Sequence, residues 1–472
     1  MRSVLSLFSK SMFQIKKTRL GNVEDIVNSS LCMGCGVCEP VCPVRCIKID
    51  ESETTGQQIP IVDQSTCIAG CDVCLRVCPG EEVDFDLLNE KYIGKIPERK
   101  DIGHVKNTIV GHASDSKLRF SASSGGALTA LLVYLLEKDF IDGAVVVRMN
   151  ADHPHMTEVI IARTVEDLLA SKGSKYCPAS SGQGLRAIMR EPGRYAFVGL
   201  SCHVHAARKF QEVFRKYSNR IVLNLGLFCG GGITFNGTRF LLEQLDVEEE
   251  ELVQLTLRGD GWPGKTTAVK KDGTRCELNK RAGATTLHEA ATYTSWMHRY
   301  FFPPRCLTCT DLTAQLADIS FGDPWLDRFT KNDTQGLSMM VVRTTAGQRF
   351  LDLAIRDGAI TAIDNATPQE VADSQKKLNK KIQTRPYRIA AKFLGIATPN
   401  YGELYNEGSS SPIAIASAIW DYTRLWLGRN HRLWKFLLLL EEVHQHRIVF
   451  QAKWRGRIIR LMKKITFRTP PQ

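Results

Sequence analysis

Two short clumps of cysteine near the N-terminus constrain this chain more than any other feature. The first has the spacing Cys-x2-Cys-x2-Cys-x3-Cys-Pro and the second Cys-x3-Cys-x2-Cys-x3-Cys-Pro. The first spacing is that of bacterial [4Fe–4S] proteins, in which the fourth cysteine of each clump binds the cluster of the other. A zinc site usually has two cysteine pairs a dozen or more residues apart. The sequence therefore predicts two [4Fe–4S] clusters, one held by Cys32, Cys35, Cys38 and Cys78 and the other by Cys67, Cys71, Cys74 and Cys42.

The second clump departs from the standard spacing in its first gap, which is one residue longer. Gly70 lies inside that gap and can relieve the backbone, because glycine adopts conformations closed to other residues. Two interpretations stay open: the second clump holds a cluster, or it has lost the cluster and kept a structural role. Whether Cys67 is itself a ligand belongs to the same question. Cys46, outside both clumps, is interpreted as a bystander.

Length and composition indicate that these cysteines belong to a globular protein rather than a disulfide scaffold. The chain has 472 residues, 43% of them hydrophobic, which is enough for two to four domains at roughly 150 residues each. Disulfide scaffolds are short and loop-rich, and this chain is neither. Residues 1–25 form a basic lead-in without the apolar run of a secretory signal, and no stretch reaches the ~18 apolar residues of a spanning helix. We therefore expect a cytoplasmic protein whose clumped cysteines bind metal.

Beyond the lead-in, the pattern of predicted elements divides the chain into three parts. Residues 26–90 carry the cysteine clumps, separated by a strand, a polar turn and a second strand, and are expected to form a ferredoxin-like module. Residues 100–400 alternate helices with buried strands, which predicts helices packed on a mixed or mostly parallel sheet. Residues 410–472 are typical of basic amphipathic helices. The predicted fold class is α/β, or α+β for the chain as a whole.

A serine- and glycine-rich segment stands immediately before the first long predicted helix of the body. Backbone N–H groups at a helix N-terminus, together with the helix dipole, suit a phosphate group. A serine N-cap followed by packing glycines has the same appearance, so both interpretations stay open. The segment consists of Ser123, Ser124, Gly125 and Gly126.

Four motifs of the body follow the cysteine clumps in order: GSKYCPA at 173–179, VGLSCH at 198–203, RGDGWPG at 258–264 and RCLTCTDLTAQLADISFGD at 305–323. With the clumps ahead of them, they resemble the family of coenzyme F-420 hydrogenase/dehydrogenase β subunits over residues 25–400. The resemblance implies FAD bound in the body and supplied with electrons by nearby [4Fe–4S] clusters. It also implies hydride exchange with a deazaflavin or another organic acceptor, since a flavin takes electrons singly and releases them as a pair.

The resemblance implies roles for individual residues of the body. Ser124, Gly125 and Gly126 would face the FAD phosphates. Lys175 and Tyr176 would line the flavin pocket, where the Lys175 ammonium would stabilise a reduced, anionic ring. A surface lysine beside a core tyrosine is the alternative.

Further candidates lie in the later motifs. Where many relatives have Pro-Cys, this chain has Ser-Cys followed by His. Cys202 and His203 are therefore candidate catalytic residues on the substrate side of the flavin, with a buried thiol and a helix-capping histidine as the alternative. Arg258 and Trp262 are candidate walls of the flavin or substrate cleft. The lone pair Cys306-x2-Cys309 can bind metal only with ligands from elsewhere in the chain.

The stretch from Gly259 to Thr266 satisfies the Walker A pattern of nucleotide-binding loops. A true P-loop leads from a strand into a helix. Here the following residues alternate as in a strand and turn at Asp272-Gly273. We therefore interpret the match as a coincidence.

Positive charge is concentrated at the C-terminal end. Of the net charge of +12, most falls in residues 423–472, which contain twelve Lys and Arg against two Glu. Such a segment can lie on an anionic membrane surface, dock an acidic partner such as ferredoxin, or cap the body as ordinary helices. Nucleic-acid binding is the least favoured alternative, because no accompanying motif is present. Four of the seven tryptophans lie in residues 410–472: Trp420, Trp426, Trp434 and Trp454.

Together these features predict an iron–sulfur flavoprotein reductase that receives electrons from ferredoxin or another redox protein. Electrons would pass through two [4Fe–4S] clusters to FAD and leave as a hydride to an organic acceptor. Two other hypotheses stay open: an electron-transfer subunit with a separate catalytic partner, and a metal-stabilised scaffold without redox activity. The sequence names neither the acceptor, nor the direction of electron flow, nor the oligomeric state.

Overall fold

The computed structural model describes residues 21–279, 285–297, 299–331, 333–375, 383–402 and 408–447. Most of the predicted lead-in and the end of the predicted tail, with Trp454, lie outside these residues. Thirteen strands form three sheets in the described chain. Their bounds are β1 Ile47–Glu51, β2 Gln58–Val62, β3 Asn107–Ala113, β4 Gly143–Met149, β5 Thr157–Ala162, β6 Tyr195–Leu200, β7 Ile221–Leu227, β8 Leu252–Gly259, β9 Lys265–Lys270, β10 Arg275–Asn279, β11 Ile319–Gly322, β12 Ser338–Val342 and β13 Ile360–Asn365.

The largest sheet has eight strands in the order β13-β3-β12-β11-β7-β6-β4-β5. Its centre, formed by β4, β6, β7 and β11, is parallel, and antiparallel strands extend it on both sides. Parallel neighbours need a crossover connection, and the helix Ser201–Val213 supplies the one between β6 and β7. This mixed sheet is the α/β body that the alternating pattern predicts, so the predicted fold class is confirmed.

Helices cover both faces of the large sheet, because successive strand residues point to opposite sides. Val146 of β4 belongs to the core that also contains Leu131 of the helix Ala127–Glu137. Its neighbour Val145 belongs to the opposite core, with Phe210 of the helix Ser201–Val213. The other helices of the body span Ser116–Ser121, Val165–Ala170, Leu185–Arg190, Arg215–Ser218, Phe235–Gln244, Leu287–Met297, Asp327–Thr330, Thr345–Arg356 and Pro368–Ser374.

The N-terminal module contains the antiparallel pair β1 and β2 with Ile47 opposite Val62. A four-residue helix begins within each cysteine clump. Val37 and Val77, one from each clump, pack in the same core as Phe197 of the body. The module therefore shares a hydrophobic core with the large sheet. Its helices span Val23–Asn28, Cys38–Val41, Val73–Arg76 and Phe85–Leu88.

A second, three-stranded sheet carries the Walker-like stretch. Strands β8, β9 and β10 pair antiparallel in chain order. Lys265 and Thr266 begin β9, so a strand follows the glycine-rich loop where a P-loop would have a helix. The prediction that this match is a coincidence is confirmed.

Three helices close the described chain and pack on the body: Arg385–Leu394, Pro412–Gly428 and 434–447. Leu425 of the second helix packs with Leu307 of the body, and Trp434 of the third joins the core of Phe240 and Phe301. The described part of the predicted tail is thus a helical cap, one of the alternatives that the sequence leaves open. None of the helices in the described residues is long and apolar enough to cross a membrane.

Candidate functional site

Four cysteines come together where the N-terminal module meets the body, and they are hereafter the inner thiols: Cys32, Cys35, Cys38 and Cys78. Burial is the main cause that raises the pKa of Cys32 to about 12, and the nearby Cys78 thiol adds to it. Cys78 has the same effect on the pKa of Cys35 and of Cys38. The Gly34 N–H donates to Cys32 Sγ at 3.4 Å, and the Gly80 N–H donates to Cys78 Sγ at 3.3 Å. Backbone donors aimed at sulfur suit thiolates bound to iron, so these residues fit the predicted cluster.

The body holds the loops of the inner thiols in place. Ser180 Oγ donates to Gly34 O at 2.9 Å, and the Gly182 N–H donates to Cys35 O at 2.8 Å. Two cations, Lys209 and Arg305, donate to Cys78 O at 2.7 Å and to Gly80 O at 2.9 Å. Both lower the pKa of Cys78 against the larger effect of burial. Sequence reasoning missed both residues: Lys209 lies outside the quoted motifs, and Arg305 opens the motif at 305–323 but was not singled out.

A second group of thiols lies farther from the body, and it is hereafter the outer thiols: Cys42, Cys46, Cys67, Cys71 and Cys74. Cys46 Sγ lies 3.4 Å from Cys42 Sγ. Burial raises the pKa of Cys46 to about 12, with contributions from Cys42 and Cys67. Cys46 therefore stands among the predicted ligands, and its interpretation as a bystander stays a prediction. The longer gap of the second clump faces solvent, because Ile68 is 49% exposed and a Cβ on Gly70 would meet nothing within 4 Å.

A third group, hereafter the body thiols, consists of Cys202, Cys229, Cys306 and Cys309. Burial is the main cause that raises the pKa of Cys202 far above its usual range. The other three body thiols add to this effect, and so does Cys35 of the inner thiols. The pair Cys306-x2-Cys309 thus has two further thiols beside it, and the whole group adjoins the first predicted cluster.

Strand order explains why these thiols meet. Cys202 and Cys229 each stand two residues after a strand, β6 and β7 respectively. The two strands are parallel neighbours, and their last residues, Leu200 and Leu227, are directly paired. The carboxyl edge of a parallel sheet is where α/β proteins bind ligands. Cys229 could have been predicted to lie beside Cys202 only if β6 and β7 were known to be neighbours. Their pairing cannot be read from the sequence.

No three His, Cys, Asp or Glu side chains in the described residues converge as they would around a single metal ion. In a cubane cluster each thiolate binds a different iron atom, so its ligands stand farther apart than those of one zinc ion. The lack of a single-ion site therefore does not bear on whether the inner and body thiols hold clusters. Their binding of iron stays a prediction.

Two of the residues predicted to form the flavin cleft meet around a carboxylate that sequence reasoning missed, Asp323. Arg258 donates to both its oxygens at 2.7 Å, and Trp262 Nε1 donates to one of them at 2.9 Å. Burial lowers the pKa of the Arg258 guanidinium, but the effects of Asp323 and the Tyr176 phenol are larger together, so the pKa is raised overall. Ser123 Oγ donates to Arg258 O at 2.7 Å. Asp323 directly follows β11, so this cleft and the body thiols share one edge of the sheet.

The segment before the helix Ala127–Glu137 divides into two parts. Ser124 Oγ donates to Leu337 O at 2.6 Å, and a Cβ on Gly125 would lie 2.7 Å from Ser338 N. Both residues therefore pack against the segment that begins β12. Gly126 is the N-cap with a φ of 73°, a conformation that favours glycine, and no side chain caps the helix there. The first N–H groups of this helix remain the part that suits a phosphate.

Lys175 and His203 occupy positions unlike those expected of exposed catalytic groups. The Lys175 ammonium donates to the carbonyl oxygens of Ser171, Lys172 and Gly173 in its own loop, and burial lowers its pKa to about 7. His203 Nδ1 accepts from the Leu200 N–H at 3.3 Å, and burial lowers its pKa to about 4. This is the helix-capping alternative. The catalytic roles of Lys175, Cys202 and His203 stay predictions.

Comparisons with known proteins agree with this architecture. The N-terminal model of the coenzyme F420 hydrogenase/dehydrogenase beta subunit matches residues 108–185, and its C-terminal model matches residues 193–367. A 4Fe-4S dicluster domain matches residues 31–81. The helical cap lies beyond all three matches.

Individual relatives match this chain over more than half of their own length. The coenzyme F420 hydrogenase subunit beta of Methanococcus voltae is 26% identical over 63% of this chain and 99% of its own. The F420-dependent formate dehydrogenase 1 subunit beta of Methanococcus maripaludis is 24% identical over 52% of this chain and 59% of its own. A chain of the F420-reducing [NiFe] hydrogenase complex from Methanosarcina barkeri is 22% identical, with a TM-score of 0.47, over 68% of this chain and 100% of that one. With its two family models covering more than half of the sequence, the chain belongs to the family of coenzyme F420 hydrogenase/dehydrogenase beta subunits and carries an N-terminal 4Fe–4S dicluster domain.

Proposed function

We propose that this protein is an iron–sulfur flavoprotein oxidoreductase, with FAD in the body and an organic hydride acceptor. The observation that carries the proposal is the sequence of thiol groups from the module into the body. The loop between Cys67 and Cys71 of the outer thiols faces solvent, the inner thiols lie against the body, and Cys35 is close enough to Cys202 to affect its pKa. Redox groups at these three positions would form a continuous route for single electrons.

The body thiols would hold a third [4Fe–4S] cluster. Four thiols are the complement that one such cluster requires. Cys202 would then be a ligand rather than a catalytic residue, and Cys306 and Cys309 would no longer form a pair without partners. The remaining ligand would be Cys229, which follows β7 at the carboxyl edge of the large sheet.

FAD would lie along the same carboxyl edge, beside the body thiols. Its phosphates suit the N-terminus of the helix Ala127–Glu137, where no side chain caps the first N–H groups. Arg258, fixed by Asp323, and Trp262 would form one wall, with Tyr176 beside them. Bound flavin supplies the exchange between single electrons and a hydride. The Arg258–Asp323 pair orients the wall, and the Trp262 ring packs on Trp325, with 4.6 Å between the ring centroids.

The names of the relatives support a deazaflavin, coenzyme F420, as the acceptor class. The alternative is an electron-transfer subunit without its own substrate chemistry. The same names favour it, because several of the relatives are described as subunits. In either case ferredoxin or a similar redox protein would exchange electrons with the outer cluster. We further propose the module boundaries 26–90, 100–400 and 410–472 that the sequence predicts.

Anaerobic purification with iron, sulfide and flavin analysis tests this proposal. We expect about twelve irons and one FAD per chain, since each cubane contributes four irons. Cys229→Ser should reduce the iron content by about four and leave the electron paramagnetic resonance (EPR) signals of the dicluster module in place. About eight irons in the wild type and no loss in Cys229→Ser would refute the third cluster. Flavin-free protein with zinc would refute the oxidoreductase as a whole.

A further inference from the structure

The helical cap, which lies beyond the family matches, carries an apolar stripe on its outer surface. In the last described helix Phe436, Leu439 and Val443 are 50%, 55% and 60% exposed. Their spacing of three and four residues places them on one face of a helix. Contiguous exposed apolar side chains of this kind mark interaction surfaces rather than ordinary protein surface.

The opposite face of this helix is fixed in the body, so rotation cannot bury the stripe. Trp434 Nε1 donates to Gly428 O at 2.9 Å, and Gln445 Nε2 donates to Thr294 Oγ1 at 3.2 Å. Leu437 is fully buried in the same core. The stripe therefore faces outward because the helix has two apolar faces and the body uses only one of them.

Positive charge borders the stripe. Arg432 and Lys435 are exposed at its start, and Arg447 is exposed at its end. Residues 448–472, which lie outside the described chain, contain seven Lys and Arg and no Asp or Glu. In that sequence apolar residues recur at intervals of three and four, at Phe450, Trp454, Ile458, Leu461 and Ile465.

We propose that the stripe Phe436, Leu439 and Val443 seats this protein on an anionic lipid bilayer. Apolar side chains of such a helix enter the boundary between headgroups and acyl chains, while neighbouring Lys and Arg attract anionic headgroups. A second copy of the chain is a poorer occupant, because it would bring the same cations face to face. The cap therefore holds the redox body at a membrane surface by peripheral contact.

Vesicle co-sedimentation of the full-length holoprotein tests this proposal. The probes are vesicles of phosphatidylcholine alone and of an equimolar mixture of phosphatidylcholine and phosphatidylglycerol. We expect binding to the mixed vesicles, and a loss of about tenfold or more in the triple variant Phe436→Ser, Leu439→Ser, Val443→Ser. The charge variant Arg432→Gln, Lys435→Gln should bind several-fold more weakly than wild type, and raised salt should weaken wild-type binding.

A matched control comes from exposed apolar residues elsewhere. Val253 of β8 and Ile363 of β13 are 54% and 55% exposed, and Val253→Ser with Ile363→Ser should leave vesicle binding unchanged. Iron content and circular dichroism, unaltered in every variant, separate lipid binding from folding and from the redox function. Equal binding of wild type and triple variant, or equal binding to both vesicle types, would overturn the proposal. So would a wild-type dimer that the triple variant converts to a monomer while lipid binding is absent.

Discussion

The two halves of the dicluster module have nearly the same cysteine spacing but different surroundings. The loop of the inner thiols lies tightly against the body: a Cβ on Gly36 would stand 2.7 Å from Ser180 Cβ. The loop of the outer thiols is open, since a Cβ on Gly70 would meet nothing within 4 Å. Similar ligand patterns thus have different surroundings, one packed against the body and one facing solvent; under the proposed function the first would pass electrons to the body and the second would receive them.

The largest expected effect comes from disturbing the sealed half. A Cβ on Gly182 would lie 2.5 Å from Val37 N and 2.6 Å from Cys35 O, and neither backbone atom can move without shifting the loop of the inner thiols. Gly182→Ala should cost about 3 kcal/mol in the free energy of unfolding, as overpacking does. Gly70→Ala, which meets only the strain of a φ of 77°, should cost about 1 kcal/mol.

Thermal unfolding and iron analysis of the anaerobic holoprotein measure both variants. Gly182→Ala should also lose iron from the inner cluster, because Gly182 directly contacts the Cys35 backbone. If Gly182→Ala were as stable as Gly70→Ala and kept its full iron content, the loop of the inner thiols would be packed no more tightly than the loop of the outer thiols.

The next effect concerns the extra thiol of the outer half. Because Cys46 lies among the outer thiols and beside Cys42, it can replace Cys67 as a ligand if the longer gap carries Cys67 out of reach. We expect Cys67→Ser to keep most of its iron and the double variant Cys46→Ala, Cys67→Ser to lose about four irons. Loss of four irons in Cys67→Ser alone would show that Cys67 is a required ligand and that Cys46 is the bystander predicted from the sequence. Cys276→Ser, at a cysteine of β10 in the small sheet, is the control.

Exposure of the outer half should also appear in the rate of oxidative loss. Treated with ferricyanide and a chelator, the holoprotein should lose about four irons at a rate roughly tenfold above that of the remainder, since oxidants reach exposed sulfur first. The EPR spectrum identifies which cluster remains. Uniform loss of all clusters would mean that the inner half is as accessible as the outer one.

How far the sequence predicts this molecule depends on the range of the interaction. The hairpin of the module, the alternating body and the strand after the Walker-like loop follow from periodicity and turn residues within a few positions. The meeting of Cys202 with Cys229 depends on strands β6 and β7 being neighbours, and the position of Asp323 depends on β11 joining them. Lys209 and Arg305 reach the Cys78 loop through tertiary packing, which no local pattern encodes.

The smallest expected effect is electrostatic and should be confined to the inner half. The Lys209 ammonium donates to Cys78 O and to Glu82 O, so its charge lies beside the proposed inner cluster, where it favours the more negative, reduced state. Lys209→Met should lower the reduction potential of that cluster by tens of millivolts, while Lys209→Arg should restore most of it. EPR-monitored titration distinguishes this from a structural defect, because the outer cluster should keep its potential. Lys216→Met, at an exposed lysine of the next helix, is the matched control. An equal shift in the reduction potentials of both clusters in Lys209→Met would mean that Lys209 acts through the fold of the whole module. Arg305 would then be the remaining candidate for an electrostatic effect confined to the inner cluster.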